Sequence, residues 1–428
     1  MDLAMVRSYH NKSPAPEMDR KIWRKLPIEL LERILSFLPL RTFLYLRSTC
    51  KYFRSLIFSP LFLSTHTSTN SISSSPLSSF LLLSHPQSTH YLMYDTDLNT
   101  WRNLKLPLSR SLSCTPLLST ATCLLCFSAV PDSSNSAFLV FNLLARSSRI
   151  VKFPEYPFAF EFPTLITSSN GYRLFCLSSR SSSRVYAYVY DSVARQWSRF
   201  DGFDRALGDS YHQQGVFCNG SLYFGTREPF SVVGFDLGSG KWIRSEADLP
   251  EELTFGRLVA GNVLINLPSR EDQQNRVTCQ SESMLKLYSF AWPCTTQLTP
   301  FKTLVAGSGG GEGENTLFMF GGIGRNGISK TMKLWKMDEI EKVWMEVESV
   351  PDMMCRKFGS VCYHNYEHIY CFWHQGMICV CCYTWPEVLY YIVARRTWHW
   401  VPKCPSLPQK SSCGFKWFSF APQLYAAV

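Results

Sequence analysis

The chain has 428 residues, 46% of them apolar and only 18% charged, a globular composition too long for one small core. No run of about 18 apolar residues occurs, so no membrane-spanning helix is predicted. The net charge of +10 is uneven: residues 1–66 hold eleven Lys and Arg against five Asp and Glu, and with no basic run or aromatic-interleaved patch this suits an acidic protein partner as well as nucleic acid.

Residues 1–21 have no apolar centre of the secretory kind and read as a disordered tail. The sixteen cysteines then point to free, mostly buried thiols in a reducing compartment, nucleus or cytoplasm. The pairs Cys123/Cys126 and Cys379/Cys382 have zinc-like spacing. Both lie in apolar strand-like runs without a second pair, so core packing is the better account and no metal is expected.

The first element lies in "KLPIELLERILSFLP", 25–39. Pro27 suits the first turn of a helix, Glu29 and Glu32 favour its positive end, and Glu29 can pair with Arg33. Pro39 disfavours helical geometry at Leu38 and ends the element. Leu30, Ile34, Phe37 and Leu38 form one stripe, which Leu31 and Leu35 widen. A second helix is predicted over 41–48 and a third from near Ser48, with Cys50, Phe53, Leu56 and Ile57 on one side. Three short helices in about 45 residues make a marginal domain, and the first is apolar over more than the roughly 100° that a core-facing helix needs. The spare surface either caps the following domain or docks a separate protein.

The stretch "LPIELLERILSFLPLRTFLYLRSTCKYFRSLIFSPLF", 26–62, resembles an F-box: Leu-Pro, a Leu/Ile-rich helix, a second Leu-Pro, then R-S-T-C-K and an aromatic. The resemblance covers nearly the whole motif and implies binding to the acidic Skp adaptor of SCF (Skp–cullin–F-box) ubiquitin ligases. By position it implies contacts at Leu26, Pro27, Leu30, Ile34, Leu35, Leu38, Pro39, Cys50 and Phe53. Phe53 stands where a Trp is common, and Thr49 replaces a frequent Val.

Residues 64–90 and 108–120 are Ser-rich and read as linker or long loops; the domain boundaries are set at 22–66 for the F-box and 67–79 for the linker. Beyond them a strand ending in Asp, a polar turn, and a Trp six residues after the Asp recur: Asp95/Trp101, Asp191/Trp197, Asp236/Trp242 and Asp338/Trp344. Degenerate copies are Asn142/Ser148 and Ile392/Trp398. The acid can bond the turn's own backbone while the Trp packs where the next strand begins, so each copy is a hairpin. The intervals are 47, 49, 45, 102 and 54 residues, close to a kelch blade. With Gly321-Gly322 and "WHWVPKCP" at 398–405, residues 80–428 resemble the divergent kelch propellers of plant F-box/kelch-repeat proteins.

The long interval is read as an insertion over 262–307, because "LVAG" occurs at 258–261 and again at 304–307; six blades are favoured, with seven open. Closure is expected between residues from 80–95 and 414–422. The fold class is therefore mostly β: a three-helix F-box followed by a kelch-type β-propeller.

Acids at a fixed place in each repeat are structural turns, and the nine histidines show no metal-ligand spacing; His364 and His368, four apart, fit a loop. The Gly-rich 307–315 lacks the Lys-Ser/Thr ending of a phosphate loop. No catalytic residue and no cofactor is expected. The resemblance implies substrate recognition for an SCF ligase, in ubiquitin-dependent catabolism, with the adaptor, a cullin behind it and an unidentified target protein as partners, and no membrane or direct nucleic-acid contact. The alternative is a non-degradative scaffold or transcriptional co-regulator. Stretches 204–215 and 351–367 are candidate target-contact loops, or equally ordinary blade connections.

Overall fold

The computed structural model describes residues 25–428 except 71–78, 245–300, shorter loop stretches (107–115, 130–136, 155–159, 179–184, 204–206, 208–213, 227–230, 309–314, 362–367, 408–412, 423–427) and a few isolated positions, Pro39 among them. The expected tail at 1–21, Ser48 and Ile57 lie outside the described residues. The chain divides into two compact units, 1–77 and 78–428.

Among its described residues the first unit is helical: α1 (Ile28–Ser36), α2 (Leu40–Leu46), α3 (Lys51–Leu56) and α4 (Pro60–Asn70). Pro27 stands just before α1, extended at ψ 144°, and its carbonyl accepts the Leu31 N–H at 3.0 Å. The chain turns out of α1 at Phe37 and Leu38, whose N–H groups bond Ile34 and Leu35 carbonyls at 3.2 Å. Cys50 stands just before α3, its Sγ accepting the Phe53 N–H at 3.4 Å, and Tyr52 Oη donates to Glu32 Oε1 of α1 at 2.5 Å.

The fourth helix corrects the three-helix expectation. It runs through residues read as Ser-rich linker, starting with Ser59 Oγ accepting the Phe62 N–H (3.4 Å) and Pro60 in the first turn. Ser64 and Thr65 turn their hydroxyls back onto the Leu61 carbonyl (2.8 and 3.0 Å), so these residues satisfy themselves inside a helix. Phe62 and His66 of α4 close an aromatic core on Phe43 of α2, with ring centroids 4.9 and 5.8 Å away, beside buried Leu35 and Leu56.

Among the described residues the second unit has six four-stranded antiparallel sheets. Blade I is Phe80–Ser84, Tyr91–Asp95 and Thr100–Leu104 joined by the C-terminal strand Lys416–Phe420, with Phe80 opposite Phe420 and Ser84 opposite Lys416. This is the closure anticipated in the sequence. Blades II to VI span 117–152, 160–201, 216–244, 301–349 and 369–400. The first strands of blades II–VI, with Lys416–Phe420 of blade I, bound one axial cavity and are the innermost.

Two boundaries move. Residues 117–120, read as Ser-rich loop, lie in the inner strand Leu117–Ala121. Phe301–Ser308, the end of the expected insertion, is the inner strand of blade V, paired with Asn315–Arg325; residues 262–300 lie outside the described residues.

Each apolar cluster straddles two neighbouring blades. Leu82, Phe127, Phe141 and Phe418 join I to II; Phe138, Val140, Leu174 and Tyr188 join II to III; Phe175, Val189, Leu222 and Phe235 join III to IV. Val216, Val232, Met319 and Trp335 join IV to V; Phe318, Leu334, Ile378 and Leu389 join V to VI; Leu83, Trp417, Cys379 and Val388 join VI to I. A sheet face that is apolar on both sides needs such a neighbour on each side, and the ring supplies it.

The repeated hairpin forms as its spacing predicts. Oδ1 of Asp95, Asn142, Asp191, Asp236 and Asp338 each accepts two N–H groups of its own turn. The tryptophans tie blade to blade: Trp101, Trp197 and Trp242 donate Nε1–H to the carbonyls of Pro402 (3.2 Å), Lys152 (2.8 Å) and Asp201 (2.9 Å), all on the preceding blade.

Candidate functional site

Helix α1 has five apolar residues in "IELLERILS" and Phe37 just beyond. Leu35 turns into the core, at 4% exposure, while Leu30 (50%), Ile34 (41%) and Phe37 (60%), spaced four and three apart, share one open face that Ile28 (59%) extends. So much exposed aliphatic and aromatic surface on one short helix exceeds what singly scattered surface residues give and makes this face the candidate interaction surface.

Of the residues singled out by resemblance, Pro27, Leu30, Ile34 and Cys50 are exposed, and Leu26, Leu38 and Phe53 are half-buried. Leu35 is inside and supports the face from beneath. Pro39 lies outside the described residues. Sequence reasoning left out Ile28, Tyr45 (67% exposed) and Leu61 (74%). Ile28 was visible in the apolar run, but Leu61 needed α4, whose Ser-Pro start was the missed signal.

Exposed Lys25, Arg33, Lys51 and Arg54 bring positive charge to the same unit, against Glu29 and Glu32. Glu32 is engaged by Tyr52, whose phenol burial first, and this hydrogen bond second, push up to about 12. The hydroxyl therefore stays a donor, clipping α3 onto α1 and fixing the angle at which the apolar face is presented.

The other sequence candidates have structural places. Residues 352–361, expected as loop, form α5 (Asp352–Val361), whose Cys355 and Phe358 enter the core between blades V and VI. Lys357 Nζ lies 2.5 Å from Glu387 Oε2 and 3.8 Å from the Trp400 ring. Its Met353 remains 77% exposed, and 362–367, with His364, lie outside the described residues. His368 packs on Tyr383 with ring centroids 6.0 Å apart. From 204–215, Leu207 bridges Thr226, and Gln214 is held by Ser119 and the Leu118 carbonyl. Cys123 and Cys126 sit in the core between blades II and III, and Cys379 and Cys382 in the cores flanking blade VI; burial pushes the Cys126 and Cys379 thiols up.

The F-box domain family matches residues 23–65, the helical unit that carries this face. An F-box/kelch-repeat protein of Arabidopsis thaliana is 46% identical over 424 residues, covering 97% of this chain and 91% of the relative. UNUSUAL FLORAL ORGANS of the same plant is 22% identical over 427 residues, covering 91% of this chain and 80% of that protein. Among solved structures, a chain of a nidogen/laminin complex aligns with a TM-score of 0.41 at 8% identity, covering 81% of this chain and 99% of that one, a likeness too distant to bear on function.

Proposed function

The chain belongs to the F-box/kelch-repeat family, and we propose that it is the substrate-recognition subunit of an SCF ubiquitin ligase in the nucleus or cytoplasm. The observation that carries this reading is the F-box match on a unit whose first helix leaves Leu30, Ile34 and Phe37 open. In this role Leu26, Pro27, Leu30, Ile34, Leu38, Pro39, Cys50 and Phe53 meet a Skp-type adaptor, with Leu35 behind them. Lys25, Arg33, Lys51 and Arg54 suit an acidic partner and speed the encounter.

The mechanism is proximity. The adaptor and a cullin hold the helical unit, the propeller holds a target protein, and tethering raises the effective concentration of the target's lysines near a charged conjugating enzyme. This chain positions; the bond-making chemistry lies in other subunits.

The test is co-precipitation of adaptor and cullin with the Leu30→Ala, Ile34→Ala double variant. Both side chains are exposed, so the unfolding transition should stay in place while adaptor affinity falls about tenfold or more, as for central apolar anchors. Wild-type recovery of the adaptor by this variant overturns the reading. A bound target whose lifetime ignores proteasome inhibition favours the non-degradative scaffold.

A further inference from the structure

The propeller axis holds a cavity of about 460 Å³ bounded by all six inner strands, in the size range of small-molecule sites. Among the described residues that line it there is no aspartate or glutamate, and Lys416 is the single cationic side chain. Lys416 begins the C-terminal strand that closes the ring. Its Nζ donates to the Leu118 carbonyl at 3.2 Å and lies 5.4 Å from the Phe418 ring. Gln214 Nε2 donates to the same carbonyl.

The hydroxyls around it are committed elsewhere. Thr120 bonds the Ser419 carbonyl (2.9 Å), Thr164 the Phe162 carbonyl (3.0 Å), Thr122 and Thr167 each other (3.1 Å), and Ser419 Oγ the His374 ring (2.9 Å). An ammonium has three N–H donors, and the bond to Leu118 leaves capacity facing the channel. Burial lowers the Lys416 ammonium to about 8, so it stays mostly protonated at neutral pH, and this half-buried cation has no counter-charge among the described lining residues. One cation matches one negative charge. The rest of the wall includes Phe217, Val305, Phe372 and Trp373, which suit a carbon skeleton.

We propose that the axial cavity binds the carboxylate of an organic monoanion, with Lys416 as its counter-ion and the aromatic and aliphatic wall taking the apolar body. The carboxylate belongs either to a small free acid or to the C terminus of a polypeptide. The site is independent of adaptor docking.

Calorimetric titration of the full-length protein separates the two sources, using hexanoate and hexanamide in one arm and an uncharged pentapeptide with a free or an amidated C terminus in the other. Saturable binding is expected for at least one acid and for neither amide. It should weaken about tenfold or more in Lys416→Met and persist in Lys416→Arg. Affinity should fall as pH rises past about 8, as Lys416 loses its charge. The other titratable groups at the cavity are Tyr370, Cys371 and, bonded to Ser419, His374. Burial holds the Tyr370 phenol well above its ordinary range and His374 at about 4, so both are neutral there. The proposal is overturned if an amide binds as tightly as its acid, if Lys416→Met changes nothing, if phosphate competes equally, or if neither acid saturates by about 10 mM. Adaptor co-precipitation should be indifferent to Lys416→Met, so either reading can fail alone.

Discussion

Asp95 is 1% exposed, its Oδ1 accepts the N–H groups of Asp97 (3.2 Å) and Leu98 (3.0 Å), and Arg102 Nη2 lies 3.3 Å from Oδ2. Asp95→Ala leaves two turn donors without their acceptor and Arg102 without its partner, so denaturant unfolding should register a loss of about 1–3 kcal/mol. In the sixth copy Ile392 has no side-chain acceptor, and its carbonyl takes the Arg395 and Arg396 N–H groups instead, at 3.2 and 2.8 Å. Four residues after each anchor the backbone is left-handed, at Asn99, Arg146, Arg195, Gly240, Lys342 and Arg396, with φ between 51° and 69°. Five of the six are not glycine, so the conformation alone does not demand one. Gly240 is required by its surroundings: a Cβ there would overlap the Phe200 ring. Gly240→Ala should therefore cost about 1–3 kcal/mol in the same assay, whereas Arg195→Gly, which only relieves a strained φ against added chain entropy, should stay within about 1 kcal/mol of wild type.

At the scale of elements, the outer hairpins were legible and the inner strands were not. The Asp–Trp signature marks the turn between the third and fourth strand of a blade, where an exposed turn needs a side-chain acceptor and the next strand needs a tryptophan. The inner strands face the axis, where Thr120, Thr164 and Thr167 replace the apolar alternation that identifies a strand. That is why 117–120 read as loop. Helix α4 was missed for a related reason: Ser and Thr are poor helix formers by propensity, and the packing of Phe62 and His66 on Phe43 overrides it. The apolar face of α1 was legible from spacing, but which of its leucines point inward depends on α4. The closing strand is pinned by a buried side chain as well as by its ladder. Tyr370 Oη donates to the Phe415 carbonyl (3.1 Å) and accepts the Trp417 N–H (2.7 Å). Tyr370→Phe keeps the ring in place but strands both backbone groups, and should lower stability by about 1–3 kcal/mol, read as a shifted midpoint of the propeller transition.

At the scale of the whole propeller, no blade owns its core, since every apolar cluster crosses a blade boundary, and closure therefore couples all six. Removing residues 414–428 would leave the Phe80–Ser84 strand without its inner neighbour and take Trp417 and Phe418 from two cores; the expected product is aggregated, without a cooperative transition. The same seam makes the ring sensitive to acid. His374, fully buried at the end of the blade VI inner strand, meets Ser79 Oγ at 3.1 Å through Nε2 and Ser419 Oγ at 2.9 Å through Nδ1, joining blade VI to both chain ends of blade I. Burial lowers its pKa from 6.5 to about 4. The unfolded chain then binds the proton more readily than the native one, so this contribution is fully present above about 6.5 and is lost as pH falls from there towards 4. A gap of about 2.5 at about 1.4 kcal/mol for each pH unit amounts to about 3 kcal/mol. Burial lowers His66 and His85 as well, and they act with the same sign. Thermal unfolding followed at pH 7.5 and pH 5 should show a lower midpoint in acid for wild type and a smaller shift for His374→Gln, which keeps a donor and an acceptor but cannot take a proton. An equal acid shift in both proteins would move the sensitivity away from the closure seam and onto other groups.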